Sequence, residues 1–119
     1  MIYSKGQMED EITKAMIQWE KEYKGRGPSE ARTDIVRNMV IVTLKGVLSL
    51  AEQHLARDEE GMALIKELGR QLVEQGRPGL EEIIKHITGA EVVSLHTDVS
   101  TKTGERVFVF VLNTDIPLE

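Results

Sequence analysis

The chain has 119 residues, a formal net charge of −5 and no cysteine. This length fits one domain, so we expect residues 1–119 to form a single unit, with a structured core over 7–113 and a loose tail over 114–119. Disulfides, thiol catalysis and cysteine metal sites are excluded, and a cytoplasmic location is expected. The basic residues are scattered among more numerous acids, and aromatic residues make up 4%, so nucleic acid is not expected as a partner.

An amphipathic helix is predicted over residues 6–24, because apolar side chains recur there at intervals of three and four residues. These side chains are Met8, Ile12, Ala15, Met16, Trp19 and Tyr23. Gly25-Arg26-Gly27-Pro28 ends the helix, since glycine readily adopts the left-handed conformation and proline cannot continue a helix. The pattern leaves open whether this helix packs within its own subunit or swaps into a neighbouring one.

One buried strand is predicted over residues 35–45. The segment is rich in β-branched residues, which favour strands. It carries apolar side chains on both faces, which is typical of a strand that is covered on both sides.

Helical segments follow this strand. Ser49 and Glu52 have the spacing of a capping box, which predicts the start of a short helix. Asp58 begins the next helix, because acidic residues are favourable at the positive end of the helix dipole. The segment from Gly76 to Gly79 contains a proline and interrupts the helical pattern. The sequence therefore predicts either two helices or one sharply kinked helix there.

The last two predicted strands form an antiparallel hairpin. Polar and apolar residues alternate over 91–99, residues 106–112 are apolar on both faces, and Gly104 supplies the positive φ that a short loop requires. Because the last strand is doubly apolar, we place it centrally, between the 91–99 strand and the 35–45 strand. The predicted fold is α+β, with an N-terminal helix, a central helical segment and a three-stranded antiparallel-type sheet of order 2-3-1. The element order is helix-strand-helix-helix(-helix)-strand-strand.

The polar face of the 91–99 strand is the strongest candidate for catalysis. His96 and Asp98 are suited to act as a base and the acid that orients it, and Ser94 or Ser100 has the hydroxyl of a nucleophile. Residues two apart on one strand lie about 7 Å from each other and rarely share a hydrogen bond. A solvated strand face is therefore the favoured interpretation, and no catalytic residue is assigned.

Two loops contain groups that bind anions. The glycine amides of Gly25-Arg26-Gly27-Pro28 lie beside the Arg26 guanidinium, and hydroxyl side chains crowd the hairpin tip at Ser100 and Thr101. Neither loop has the spacing of a Walker or Rossmann phosphate site, and both sets of residues are common in turns. The three histidines lie far apart in the sequence, so neither a metal ion nor a cofactor is predicted.

The doubly apolar strands favour a homodimer. Three strands present two faces, and the second face needs either the chain's own helices or a second subunit to cover it. We therefore expect a homodimer with the N-terminal helix or the sheet at its interface. A monomer whose helices cover both faces is the alternative.

Parts of the sequence resemble a small bacterial family, the MpsC-like or Na-translocating-system proteins. Residues 38–49, NMVIVTLKGVLS, are similar to the core of that family. Thr88-Gly89 and then residues 92–106, which include HTDVSTKTGER, are similar to its C-terminal signature. Gly25-Arg26-Gly27-Pro28 resembles its early loop. The similarity covers about residues 7–113.

This resemblance implies an accessory or regulatory role beside a membrane ion-transport system, and it implies no established enzymatic activity. It singles out most of the candidate ligand-binding residues, to which we add Arg106. The candidates are Gly25, Arg26, Gly27, Pro28, His96, Thr97, Asp98, Ser100, Thr101 and Arg106. The favoured function is a non-catalytic binding or assembly module, with a membrane protein and a small anion as further candidate partners. The alternative is a small enzyme or anion-binding protein that uses His96 and Asp98 with Arg26 or Arg106.

Overall fold

Residues 4–116, which the computed structural model describes, fold into helices and one antiparallel sheet. The elements are α1 (Lys5–Lys24), β1 (Glu30–Val36), β2 (Met39–Lys45), α2 (Leu50–Leu55), α3 (Glu59–Thr88), β3 (Val92–Val99) and β4 (Arg106–Leu112). The order of the strands in the sheet is β1-β2-β4-β3. The predicted α+β class is confirmed, and the last strand lies between β2 and β3 as expected.

The sheet has four strands, and the prediction of three was wrong. The single strand expected over residues 35–45 spans the end of β1, a tight turn and all of β2. Arg37 adopts a left-handed φ of 56°, which lets the chain reverse within the two residues Arg37 and Asn38. An Arg-Asn pair is not the usual Asn-Gly or Asp-Gly pair of such turns. In addition, β1 begins with Glu-Ala-Arg-Thr-Asp, which lacks the β-branched run that identifies a strand.

Strand β3 lies at the opposite edge of the sheet and is irregular. Its pairing with β4 shifts between Val92 and Ser94, so Val93 is an extra residue without a direct partner. A bulge of this kind bends the strand and increases its local twist. Val93 is correspondingly 59% exposed.

The helix ends follow the sequence closely. The Ser4 side chain accepts a hydrogen bond from the Gln7 amide, and the Gln7 side chain accepts one from the Ser4 amide, so α1 begins with a capping box. Ser49 and Glu52 make the same reciprocal bonds at the start of α2, as predicted. Helix α1 ends at Gly25, whose φ of 81° lets its amide bond a carbonyl of the last turn.

Helix α3 runs for 30 residues with a proline inside it, so the first of the two predicted alternatives, two separate helices, is wrong, and the segment from Gly76 to Gly79 lies within one helix. Pro78 leaves one carbonyl without its helical partner. Pro78 and Gly79 are both exposed, so water can reach that side of the helix. On the inner side, burial continues through Val73, Gly76 and Leu80. This continuous buried stripe offsets the loss of one hydrogen bond.

Helices α1 and α3 contact each other and cover one face of the sheet. The fully buried side chains between them include Ile12 and Met16 of α1, Leu80 and Ile84 of α3, and Val40, Val42, Leu44, Phe108 and Phe110 of the sheet. Ile116, which lies in the segment predicted as a loose tail, is 8% exposed and belongs to this core. Residues 117–119 of that segment lie outside the described part of the chain.

The contact between α1 and α3 depends on a glycine. A Cβ added at Gly76 would lie 2.8 Å from the Trp19 ring and 3.0 Å from the Tyr23 ring. These two rings stack on each other with their centroids 4.7 Å apart. Trp19 is 4% exposed, so its ring has little space into which it could move.

We expect Gly76→Ala to lower the free energy of unfolding by about 1–3 kcal/mol. Overpacking against Trp19 should outweigh the roughly 1 kcal/mol that alanine adds in helix propensity. Gly79→Ala is the matched control on the same helix, because a Cβ there meets nothing within 4 Å. It should raise the free energy of unfolding by about 0.5–1 kcal/mol. Urea unfolding measures both values, and equal stabilisation by the two substitutions would contradict the close contact at Gly76.

Candidate functional site

The face of the sheet opposite the helices carries a continuous apolar surface. Residues that pair directly across antiparallel strands point to the same face, so the register assigns each side chain to a face. Six apolar residues of the three strands β1, β2 and β4, here called the open apolar face, point away from the helices: Val36, Met39, Ile41, Val107, Val109 and Val111. They lie outside the hydrophobic core, and each remains partly or largely accessible to solvent.

Charged and polar side chains flank the open apolar face on both edge strands. Arg32 and Asp34 lie on β1, where they form an ion pair with an N–O distance of 3.1 Å. His96 and Asp98 lie on β3. Asp98 reaches round the edge of the sheet to Lys66 of α3, with a shortest N–O distance of 3.3 Å. Both ion pairs are exposed, so they add little to the stability of the fold.

The predicted site residues of β3 are divided between the two faces of the sheet. His96 and Asp98 belong to the open face, whereas Thr97 pairs with Phe108 and points towards the helices. Arg106, at the start of β4, also points towards the helices and is 6% exposed. His96 and Arg106 therefore lie on opposite faces of the sheet and do not meet in one pocket.

The remaining predicted residues lie in two loops. The segment from Gly25 to Pro28 connects α1 to β1, and its Arg26 side chain is exposed. Ser100 and Thr101 begin the turn between β3 and β4, where the Ser100 hydroxyl accepts a hydrogen bond from the Thr103 amide. These segments act as a helix end and a hairpin turn, which accounts for their residue types.

A buried polar cluster lies under α3. It includes the candidate residues Thr97 and Arg106, but its burial was not predicted from the sequence. Glu20 is 2% exposed and Arg106 is 6% exposed. Arg106 Nη1 donates a hydrogen bond of 2.9 Å to the Thr97 hydroxyl, and its guanidinium lies 5.9 Å from the centre of the Phe108 ring. The buried indole Nε1–H of Trp19 has no hydrogen-bond partner among the described residues. We call Trp19, Glu20, Thr97 and Arg106 the Arg106 cluster.

A cavity of about 20 Å³ lies beside this cluster, bordered by α1, α2 and α3. A space of this size holds about one water molecule, and the side chains of Trp19, Glu20 and Arg106 line it. Burial raises the pKa of Glu20, while the positive charges of Lys24 and Arg106 oppose that shift. Burial likewise lowers the pKa of Arg106. The cavity is therefore a feature of buried polar packing and is too small for an organic ligand.

Gly69 of α3 provides the space that Arg106 occupies. A Cβ added at Gly69 would overlap the Arg106 guanidinium. Gly69 and Gly76 are seven residues apart, so they lie about two turns apart on the same side of the helix. One lies against Arg106 and the other against Trp19. The seven-residue spacing of these glycines is a signal in the sequence that is consistent with large side chains packed beneath α3.

An open groove of about 410 Å³ lies next to the Arg106 cluster, between α3 and β3. Charged and polar side chains of both elements line it: Lys66, Glu67, Arg70, Thr97, Asp98 and Arg106. A hydrogen bond from Arg70, together with a weaker contribution from Gln71, holds the pKa of Glu67 at about 2. This carboxylate is therefore charged at neutral pH. Cationic side chains still outnumber the carboxylates along the groove. Two of the three cations are ion-paired, Lys66 with Asp98 and Arg70 with Glu67, so Arg106 is the cation of the groove without an ion-pair partner among residues 4–116.

Neither a metal centre nor a membrane span is found within residues 4–116. In that range, His, Cys, Asp and Glu side chains do not gather in groups of three or more that could hold a metal ion. The helices of the same range lack the combination of length and apolar character needed to cross a bilayer. The histidines lie on α2, α3 and β3.

The similarity to known proteins covers nearly the whole fold. Residues 4–114 match the model of a family described as Na+-translocating membrane potential-generating system, MpsC. The chain belongs to the MpsC family. The resemblance noted in the sequence is thereby confirmed, and the matched region runs from the capping serine of α1 to just beyond β4.

Two relatives from Bacillus subtilis (strain 168) extend this comparison. The uncharacterized protein YbcI is 52% identical over 113 residues, which cover 95% of this MpsC-family chain and 91% of YbcI. The uncharacterized protein YrhF is 35% identical over 101 residues, which cover 81% of this chain and 80% of YrhF. No solved structure matches the chain significantly.

We expect the stability of Glu20→Gln, relative to wild type, to depend on pH. Because burial raises the pKa of Glu20 from about 4.5, the folded state binds this proton more tightly than the unfolded chain does. The wild type should therefore lose stability as the pH rises from about 4.5 through the folded-state pKa. Glutamine carries no charge, so the variant should gain on the wild type over that range.

Urea unfolding at about pH 4.5 and at about pH 8 measures this gain. Glu82→Gln is the control, because Glu82 is exposed on the same bundle of helices and its substitution should show no such change. A difference between Glu20→Gln and wild type that stays constant with pH would contradict the buried ionisation of Glu20.

Proposed function

We propose that this chain is a non-catalytic binding or assembly module of the cytoplasm that docks through its open apolar face onto another protein surface. One observation supports this proposal above all: α1 and α3 cover one face of the sheet, while six apolar side chains lie uncovered on the other. A contiguous apolar surface with a charged rim is typical of a protein interaction site.

The family description supports a location for this docking. It names a Na+-translocating membrane potential-generating system, so we propose that the module is an accessory or regulatory partner of a membrane ion-transport system. The proposed assembly includes a homodimer, in agreement with the expectation from the doubly apolar strands.

The geometry favours binding over catalysis. His96 and Asp98 lie at the exposed rim of the open apolar face, on the side of the sheet opposite Arg106. The cavity beside Arg106 has about 20 Å³, whereas pockets for organic ligands hold roughly 300–1,000 Å³. The exposed location of His96 and Asp98 and the small volume of the cavity both support recognition by a surface rather than by an enclosed pocket.

Docking through this face predicts that its residues contact another protein in the cell. Val109 lies at the centre of the open apolar face, on β4 between β2 and β3. We expect p-benzoylphenylalanine placed at Val109 to give light-dependent adducts of higher mass in cells that naturally produce the protein. The same probe at Gln75, which is exposed on α3, should give far fewer adducts.

Denaturing electrophoresis and mass spectrometry identify these adducts. Adducts at Val109 that greatly exceed those at Gln75 support docking through the open apolar face, whatever the attached protein is. Equal yields at the two positions, or no adduct at Val109, would contradict it.

A second candidate function is the binding of a small anion in the groove between α3 and β3. The observation that favours it is the burial of Arg106, whose side-chain hydrogen bond among the described residues is to Thr97. Lys66 and Arg70 place two further cations along the same groove, where they pair with Asp98 and Glu67 respectively. A guanidinium with spare N–H groups is well suited to bind a carboxylate or phosphate.

Anion binding predicts that inorganic phosphate stabilises the folded protein at constant ionic strength. The expected gain is about 2.7 kcal/mol at a hundred times the dissociation constant. Arg70→Gln should weaken it, because one of the groove's cations is lost. Arg26→Gln, in the loop after α1, is the matched control. Thermal unfolding measures both variants, and a wild-type midpoint that phosphate leaves unchanged would contradict this candidate.

A further inference from the structure

We propose that the open apolar face packs against the same face of a second copy of this chain, about a two-fold axis parallel to the strands. The result is a sandwich of two four-stranded sheets with the helices on the outside. This inference rests on the proposed docking function and names its occupant. Two sheets that pack face to face keep their strand directions within about 30° of each other, which such an axis allows.

The register divides the open face into three rows across the sheet. In the order β1, β2, β4 and β3, the rows are Arg32–Thr43–Val107–Asp98, Asp34–Ile41–Val109–His96 and Val36–Met39–Val111–Ser94. A two-fold axis along the strands leaves each residue in its own row and reverses the order of the strands. Strand β1 therefore lies over the partner's β3, and β2 lies over the partner's β4.

The charges at the rim match under this operation. Arg32 comes to lie over the partner's Asp98, and Asp34 over the partner's His96, so both edge strands meet side chains of complementary character. Because the axis is two-fold, each contact occurs twice. Within one chain, Arg32 and Asp98 lie on opposite edge strands with β2 and β4 between them, so these two charges can only meet between copies.

Four of the six apolar residues match under the same operation, whereas Val36 and Val107 come to lie over the partner's Ser94 and Thr43. Ile41 comes to lie over the partner's Val109, and Met39 over the partner's Val111, so the centre of the interface is apolar on both sides. A two-fold interface requires one surface that is complementary to itself. The three rows have this property, which is why we infer a second copy as the occupant rather than an unrelated protein.

A two-fold axis perpendicular to the strands fits poorly. If the axis passes through the middle row, Asp34 lies over the partner's Asp34, and the two like charges repel. If it passes between the first two rows, Met39 meets the partner's Lys45, because Lys45 lies one row beyond Thr43 on β2. Either position of the perpendicular axis therefore gives contacts that are less complementary than those about the parallel axis.

The existing ion pairs do not prevent the exchange of partners. Arg32 pairs with Asp34, and Asp98 pairs with Lys66, within one chain. The side chains of Arg32 and Asp98 are 78% and 75% exposed in these pairs. Exposed pairs contribute little, so replacing them by pairs at the edge of an apolar interface carries a small cost.

Charge reversal at the two edge strands tests the arrangement directly. The wild type should sediment as a dimer, and Arg32→Glu or Asp98→Lys alone should raise the dimer dissociation constant on the order of tenfold or more, since each creates two like-charged contacts. A mixture of the two variants should form a heterodimer, because both of its contacts then join opposite charges. The variants differ in mass, so native mass spectrometry resolves the species.

Two controls separate this effect from local damage. Lys66→Ala removes the intramolecular partner of Asp98 without changing the open face, so it should leave the dimer intact. Ile41→Glu places a charge at the centre of the face and should abolish the dimer. If Asp98→Lys fails to fold, as judged by thermal unfolding, Lys45→Glu mixed with Glu105→Lys provides the same test. These two residues continue the register of β2 and β4 by one step beyond Leu44 and Arg106.

The outcomes distinguish the inference from the function on which it rests. A heterodimer formed by two variants that each dissociate alone supports the proposed axis. Loss of the dimer in Ile41→Glu without rescue in the mixture overturns the axis. A monomeric wild type overturns the second copy as occupant, whereas adducts of a different protein at Val109 would still support the docking function.

Discussion

The structure depends on how closely α3 approaches the large side chains beneath it. Gly76 lies against the Trp19 ring and Gly69 against the Arg106 guanidinium, at separations that leave no space for a Cβ. Because both glycines lie on one side of α3, the helix packs closely against α1 and against the sheet at the same time. A side chain at Gly76 would push the helix away from the Trp19 ring and disturb the packed core, whereas one at Gly69 would displace the end of the flexible Arg106 side chain.

Because the helices pack closely on one face of the sheet, the opposite face is left uncovered. Helices α1 and α3 are both used to cover a single face, and α2 has six residues of which none is buried. The described part of the chain therefore leaves the second face to solvent or to another molecule. The buried charges of Glu20 and Arg106 belong to the same arrangement. Removing these charged groups from water costs free energy. The packing of α3 over them therefore depends on their protonation state.

Much of the architecture could be predicted from local patterns. The stripe of α1, the capping box at Ser49 and the hairpin around Gly104 are set by neighbouring residues, and all three are found. At Pro78 the chain forms one helix rather than two, because burial along α3 outweighs the loss of one hydrogen bond. Strand β1 was missed because its outward residues are charged. His96 and Asp98 of the rim were predicted as site residues, whereas Arg32 and Asp34 were not, because β1 was missed. The buried position of Arg106 depends on long-range packing that no local pattern encodes.

The edge strands of the sheet are less suited than its open face to contact another molecule. Strand β1 carries the charged side chains of Glu30, Arg32 and Asp34, and β3 is bent by the extra residue Val93. Charges and bulges on edge strands hinder the addition of a foreign strand. The sheet is thus protected against growth from edge to edge, which would lead to open-ended fibrils, while its face stays available for a closed and finite assembly.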